Sequence, residues 1–148
     1  MSGSPVCPDA SFLLRWLLDE GAASQADALW ETWHREGRRL VAPTLLYYEV
    51  ANALHRYTAH GDLSPEEAEA LLDLALRIGV ELVSDAGLHR RALQLARTFS
   101  LPAVYDAHYL ALAERLGAEF WTADARLAQA LRDRLPWVHW LGRARQEW

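Results

Sequence analysis

Tyr105-Asp106-Ala107-His108-Tyr109-Leu110-Ala111-Leu112-Ala113 is followed by Glu114-Arg115-Leu116-Gly117-Ala118 and then by Glu119-Phe120-Trp121-Thr122-Ala123-Asp124. In the first block Asp106, Tyr109, Leu110 and Ala113 project onto one helical face, which places an acid inside an apolar stripe. The last block is strand-like and runs directly into a second acid. The 18 residues from Asp106 to Asp124 accommodate one helix, one loop and one strand. Both carboxylates therefore return to the same edge of a sheet, a spacing that two independent helix caps do not require.

The same strand-to-helix rhythm extends outward in both directions. A short apolar start at Val6-Cys7 leads through Asp9-Ala10-Ser11 into an apolar helix, Phe12 to Leu18, that ends near Gly21. Ser24 is placed to cap a second helix with Leu29, Trp30 and Trp33 on its apolar stripe and Gly37 as its stop. Leu40-Val41-Ala42 reads as a strand, followed by a helix from Pro43-Thr44 through Glu49 to about Ala59. Ser64-Pro65-Glu66-Glu67 carries a capping Ser, a Pro at the first helical position and a Glu three residues after the cap, and opens a helix that stops at Gly79. Val80 to Val83 alternates as a strand, and Asp85 opens a helix through Leu88, Leu95 and Phe99. Pro102-Ala103-Val104 continues the rhythm as a strand-like lead into Asp106. After Asp124 come a helix to Arg132, a last strand over Trp137 to Leu141, and a short polar tail from Gly142 to Trp148. Strands alternating with helices of this length predict an α/β fold with a mostly parallel sheet between helices.

A length of 148 residues predicts one domain over residues 1–148. The longest apolar runs fall short of the roughly 20 residues of a membrane span. Met1 to Pro5 lacks the basic and apolar regions of a signal peptide, so a cytoplasmic location is expected. Cys7 is the single cysteine, which excludes an internal disulfide and a cysteine-based zinc cage. All 15 basic residues are Arg; without Lys, P-loop NTPases and the Asp-based phosphotransfer folds that need a Lys beside their acids are excluded. The net charge of −5 argues against broad electrostatic coating of nucleic acid, so any such contact is expected to be local.

Four acids, Asp9, Glu49, Asp106 and Asp124, fall at or just inside these strand-to-helix passages, where an open α/β sheet binds its ligands. Taken singly, Asp9 and Asp124 read equally well as helix caps. Gathered in one pocket, four carboxylates repel each other unless a hard divalent cation neutralises them. A site rich in oxygen donors, with no Cys and no ligand-spaced His, favours Mg2+ or Mn2+ over zinc. Asn52, one turn after Glu49, offers it polar company. Ser11 and Thr122 flank the acids, and their hydroxyls either orient a carboxylate or simply cap. Arg38-Arg39 and Arg90-Arg91 are candidates for phosphate contacts or plain solvated pairs. Trp16, Trp30, Trp33 and Trp121 read as core, Trp140 and Trp148 as candidate interface residues, and His108 as a surface or packing residue.

Together, Asp9-Ala10-Ser11, Glu49-Val50-Ala51-Asn52-Ala53-Leu54, Tyr105 to Ala113 and Thr122-Ala123-Asp124 resemble the PIN-domain ribonucleases, and within them the VapC-type toxins of prokaryotic toxin–antitoxin pairs. The resemblance covers nearly the whole chain. It implies a PIN-like three-layer sandwich and a metal-dependent endoribonuclease that hydrolyses RNA. It also implies that Asp9, Glu49, Asp106 and Asp124 are the metal-binding catalytic acids, with Ser11 and Thr122 accessory. A cognate VapB-type antitoxin and a homodimer are implied as partners. One departure from the family pattern is Pro8, which is expected to shorten the first strand. The competing expectations are a metal-dependent phosphatase acting on small molecules and a non-catalytic PIN-fold interaction module.

Overall fold

The computed structural model describes residues 3–142, so most of the expected polar tail, with Trp148, lies outside the described residues. Five short strands, β1 (Val6–Pro8), β2 (Val41–Pro43), β3 (Glu81–Val83), β4 (Glu119–Thr122) and β5 (Val138–Trp140), are all parallel to their neighbours. They pair as β1-β4-β5 and β2-β3. The two groups join through a parallel bridge between Val6 and Leu40 and the bond from Val6 N–H to the Arg39 carbonyl at 2.8 Å. The resulting strand order is β3-β2-β1-β4-β5. β1 and β2 are buried throughout, as expected of strands covered on both faces.

The helices are α1 (Ala10–Leu18), α2 (Glu20–Arg35), α3 (Leu45–Ala59), α4 (Pro65–Leu76), α5 (Gly87–Thr98), α6 (Tyr105–Leu116) and α7 (Ala125–Leu131). α4 carries the full reciprocal capping box predicted from Ser64 and Glu67: the Glu67 N–H donates to Ser64 Oγ at 3.0 Å and the Ser64 N–H to Glu67 Oε1 at 2.8 Å. α6 stops at Gly117, whose φ of 64° only glycine adopts freely, and this reversal feeds the chain into β4. None of the helices among the described residues is long and apolar enough to cross a membrane.

Several local expectations are corrected. α1 ends at Leu18, and α2 begins at Glu20, so Gly21 does not terminate the first helix and Ser24 lies inside the second. The helix expected from Asp85 starts two residues later; Asp85 instead accepts the Gly87 N–H at 2.7 Å just ahead of the first turn. Pro102-Ala103-Val104 forms no strand, because α6 follows α5 directly through a bend and packs against β1, β2 and β4 without a strand of its own. Pro8 does not shorten β1: it pairs with Trp121, and the following Asp9 N–H continues the ladder to the Trp121 carbonyl at 3.0 Å.

α1 is locked to the sheet by an aromatic cluster. Phe12, fully buried, lies with its ring centroid 5.1 Å from Trp30, 5.9 Å from Trp33 and 6.1 Å from Trp121, mostly edge to face. Trp16 adds a further edge-on contact to Trp30 at 5.6 Å. Of the four Trp residues expected in the core, Trp33 is buried and Trp16, Trp30 and Trp121 are partly buried and packed against it. Phe12 follows Asp9 by one turn, so the cluster also sets where the carboxylate sits. Phe12→Ala should cost about 3–5 kcal/mol, lowering the urea midpoint and loosening the Trp fluorescence together; a loss under about 1 kcal/mol would mean the cluster does not anchor α1.

Candidate active site

The parallel register that sets Pro8 against Trp121 brings the residues after β1 and β4 side by side at the carboxyl edge of the sheet. Asp9 follows β1 directly and Asp124 follows β4 by two residues. Glu49 arrives from the second turn of α3, and Asp106 from the first turn of α6. All four acids line one cavity of about 250 Å3, together with Ser11, Asn52, Ala53 and Arg56.

Asp9 and Asp124 are both helix caps and members of this cavity, so the two readings of each coexist. Asp9 Oδ1 accepts the Phe12 N–H at 2.9 Å, and Asp124 Oδ1 accepts those of Arg126 and Leu127 at 3.0 and 3.2 Å. Ser11 Oγ lies 2.7 Å from Asp9 Oδ1, 3.1 Å from Thr122 Oγ1 and 2.9 Å from the Ala123 N–H. The Asp124 N–H donates to Thr122 Oγ1 at 3.0 Å. A hydroxyl has one proton to give. Ser11 gives its own to Asp9, and the Thr122 hydroxyl faces both Ser11 and the Asp9 carboxylate. A polar cluster thus joins the Asp124 amide, Thr122, Ser11 and the Asp9 carboxylate.

Glu49 has a different partner from the one the sequence predicts. Its Oε1 accepts the hydroxyl of the buried Tyr109 at 2.7 Å, whereas Asn52 is exposed on the cavity wall. Asn52 is one turn from Glu49 on the same helix but faces outward, whereas Tyr109 reaches Glu49 from α6 across the packed interior. Tyr109 follows Asp106 by one turn of α6, so the bond ties the helix of one acid to the helix of another. Tyr109 and Arg56 are the site residues that sequence reasoning missed; the signals were the shared α6 face with Asp106 and the seven-residue step along α3 from Glu49.

Burial dominates the electrostatics. Asp9 is 3% exposed, and its carboxyl is pushed up from 3.8 to about 7 by desolvation, against the pull of Thr122, Ser11 and the Phe12 amide, with Asp106 adding repulsion. Glu49 is raised by burial, opposed by Tyr109, and raised again by Asp106. Burial and then Asp124 raise Asp106. As these side chains stand, no three acids, histidines or cysteines among the described residues converge tightly enough to hold an ion.

Other candidates lie elsewhere. Arg38 is held by Ser4 and Glu119, Arg39 by Glu81 and Arg91 by Glu114, and none of the two Arg pairs lines the acidic cavity. His108 donates from Nδ1 to the Val104 carbonyl at 3.0 Å, and its Nε2 meets His89 Nδ1 at 2.8 Å. The two rings satisfy each other outside the acidic cavity.

A PIN domain model matches residues 6–132 of the chain. The chain is 32% identical to the VapC ribonuclease Mb0985 of Mycobacterium bovis over 128 residues, which is 86% of this chain and 92% of the relative. Similarity to the ribonuclease VapC3 of Pyrobaculum aerophilum is also 32% identity, over 82% of this chain and 90% of that protein. Ribonuclease VapC1 of Mycobacterium tuberculosis is 38% identical over 60% of this chain and 65% of its own length.

The raised Asp9 carboxyl has a consequence for stability. A folded-state value above the unfolded one favours the fold below about pH 4, and that advantage is lost as pH rises through about 7. Glu49 and Asp106 act in the same direction. In EDTA, wild-type stability should fall by on the order of 1 kcal/mol per pH unit over this window. Asp9→Asn, which keeps both acceptor contacts, should flatten that decline and melt higher than wild type at pH 8. Equal slopes for the two proteins in denaturant titrations would contradict the assignment.

Proposed function

The chain belongs to the PIN-domain family, and on that premise we propose that it is a metal-dependent endoribonuclease hydrolysing RNA phosphodiester bonds, the toxin of a VapBC-type pair. The observation that carries the reading is the convergence of Asp9, Glu49, Asp106 and Asp124 on one cavity at the carboxyl edge of a parallel sheet. The reading treats residues 1–148 as one domain, cytoplasmic and homodimeric, with a VapB-type antitoxin segment covering the cavity.

The donor set fits a hard cation. Carboxylate oxygens and the Ser11 hydroxyl line the cavity, no Cys or His among the described residues does, and three of the acids are held above their ordinary range in a way that positive charge relieves. Mg2+ or Mn2+ is the cation of choice, held by Asp9, Glu49, Asp106 and Asp124. When bound, it supplies charge neutralisation at the scissile phosphate and a more acidic water. The protein's own part is orientation. Ser11 and Thr122 fix the Asp9 carboxylate, Tyr109 favours the ionised form of Glu49 and fixes its direction, and Asn52 offers an exposed amide to substrate.

Attack by water in line does not use the ribose 2′-hydroxyl, so the products should carry 5′-phosphate and 3′-hydroxyl ends. Digestion of a structured RNA with Mg2+ or Mn2+, with EDTA as control, followed by a 5′-phosphate-dependent exonuclease, reads this directly. Asp106→Asn or Asp124→Ala should cut the rate on the order of 100-fold or more while the protein still melts cooperatively. Cyclic phosphate ends, or cleavage that persists in EDTA, would overturn the mechanism. Turnover of small phosphate esters without RNA cleavage would favour a phosphatase, and neither activity a binding module.

A further inference from the structure

α3 presents Glu49, Asn52, Ala53 and Arg56 to the acidic cavity, the spacing of one helical face. Ala53 and Arg56 also line a second cavity, of about 390 Å3, together with Tyr57, His60 and Asp62. The two cavities therefore meet at Arg56. Among the described residues, Arg56 is the only basic one lining the acidic cavity. Its guanidinium has no hydrogen-bond or ion-pair partner among the described residues, whereas Arg38, Arg39, Arg91 and Arg115 are each held by a carboxylate. It does not neutralise the acids either: the groups that shift Asp9, Glu49 and Asp106 include no cation.

An uncommitted guanidinium at the rim of an acidic cavity, in a chain of net charge −5, suits a polyanion that must be drawn past repelling carboxylates. The second cavity adds what a nucleotide needs beside its phosphate. Tyr57 is 40% exposed and offers an aromatic face. His60 donates from Nδ1 to the Arg56 carbonyl at 3.0 Å, which leaves Nε2 of the neutral ring as an acceptor for a base N–H. Asp62 lines the same cavity and repels phosphate, which confines the phosphate to the Arg56 side.

We propose that Arg56 holds a backbone phosphate of single-stranded RNA adjacent to the one cut in the acidic cavity, with the neighbouring base against Tyr57. This rests on the nuclease reading and names how that site takes its substrate. In steady-state cleavage, Arg56→Ala should raise KM about tenfold with kcat within about twofold, and Arg56→Lys should recover most of the loss. The plot of log kcat/KM against log salt should become shallower by about 0.7, one phosphate contact on a single strand, in Arg56→Ala and not in Tyr57→Ala. Tyr57→Ala should weaken binding several-fold at every salt concentration.

Anisotropy of a fluorescent single-stranded RNA with the full chain in EDTA measures the same contact without catalysis. Weaker binding and a shallower salt slope in Arg56→Ala support the site even if wild-type protein cuts no RNA, in which case the nuclease reading alone fails. An unchanged slope, an effect on kcat alone, or a change in oligomeric mass marking the face as an interface between copies would each overturn it.

Discussion

The parallel pairing of β1 with β4 leaves the Asp9 side chain buried at the carboxyl edge of the sheet, between the N-terminus of its own helix and the Thr122 hydroxyl of the neighbouring strand. Much of the site follows from accommodating that carboxylate. Ser11 and Thr122 extend its hydrogen bonding across to the Asp124 amide, and the Phe12 cluster holds α1 so that the cap cannot relax away. A buried acid tolerates this position because two donors and a helix N-terminus face it. The residual strain appears as a carboxyl pushed up to about 7.

Capping and site building are thus one device in this fold. A helix that begins just beyond a parallel strand aims its N–H groups at the crevice, and an Asp cap places its second oxygen there. Asp9 and Asp124 use this device, while Asp106 and Glu49 come from the first and second turns of helices packed over the same edge. The Tyr109–Glu49 bond joins those two helices through the buried face of α6. A cation among these groups would offset desolvation and mutual repulsion at once, which is why the geometry and the family membership point to the same chemistry.

The parallel order of the strands and the convergence of the acids were legible because both depend on local periodicity and on the length of one strand-to-helix repeat. The capping box at Ser64 was legible for the same reason: all its atoms lie within four residues. What escaped the sequence depends on tertiary contact. Asn52 is the polar neighbour that helical spacing offers Glu49, whereas Tyr109 reaches it from another helix, a contact that only packing sets. Pro102 to Val104 has the composition of a strand lead-in, yet β1 already has β2 and β4 on its two sides, leaving no slot beside it. The start of α2 at Glu20 rather than near Ser24 likewise reflects α1 ending early at Leu18 and the two helices packing together.

The central claim is that these carboxylates act together on one divalent cation. Calorimetric titration of the purified protein with Mn2+, wild type against Asp106→Asn, tests it without reference to any substrate. The account predicts saturable binding by wild type that weakens on the order of tenfold or more in the variant, while thermal melting shows both proteins folded. Equal affinity in the two proteins, or no binding in the wild type, would contradict it.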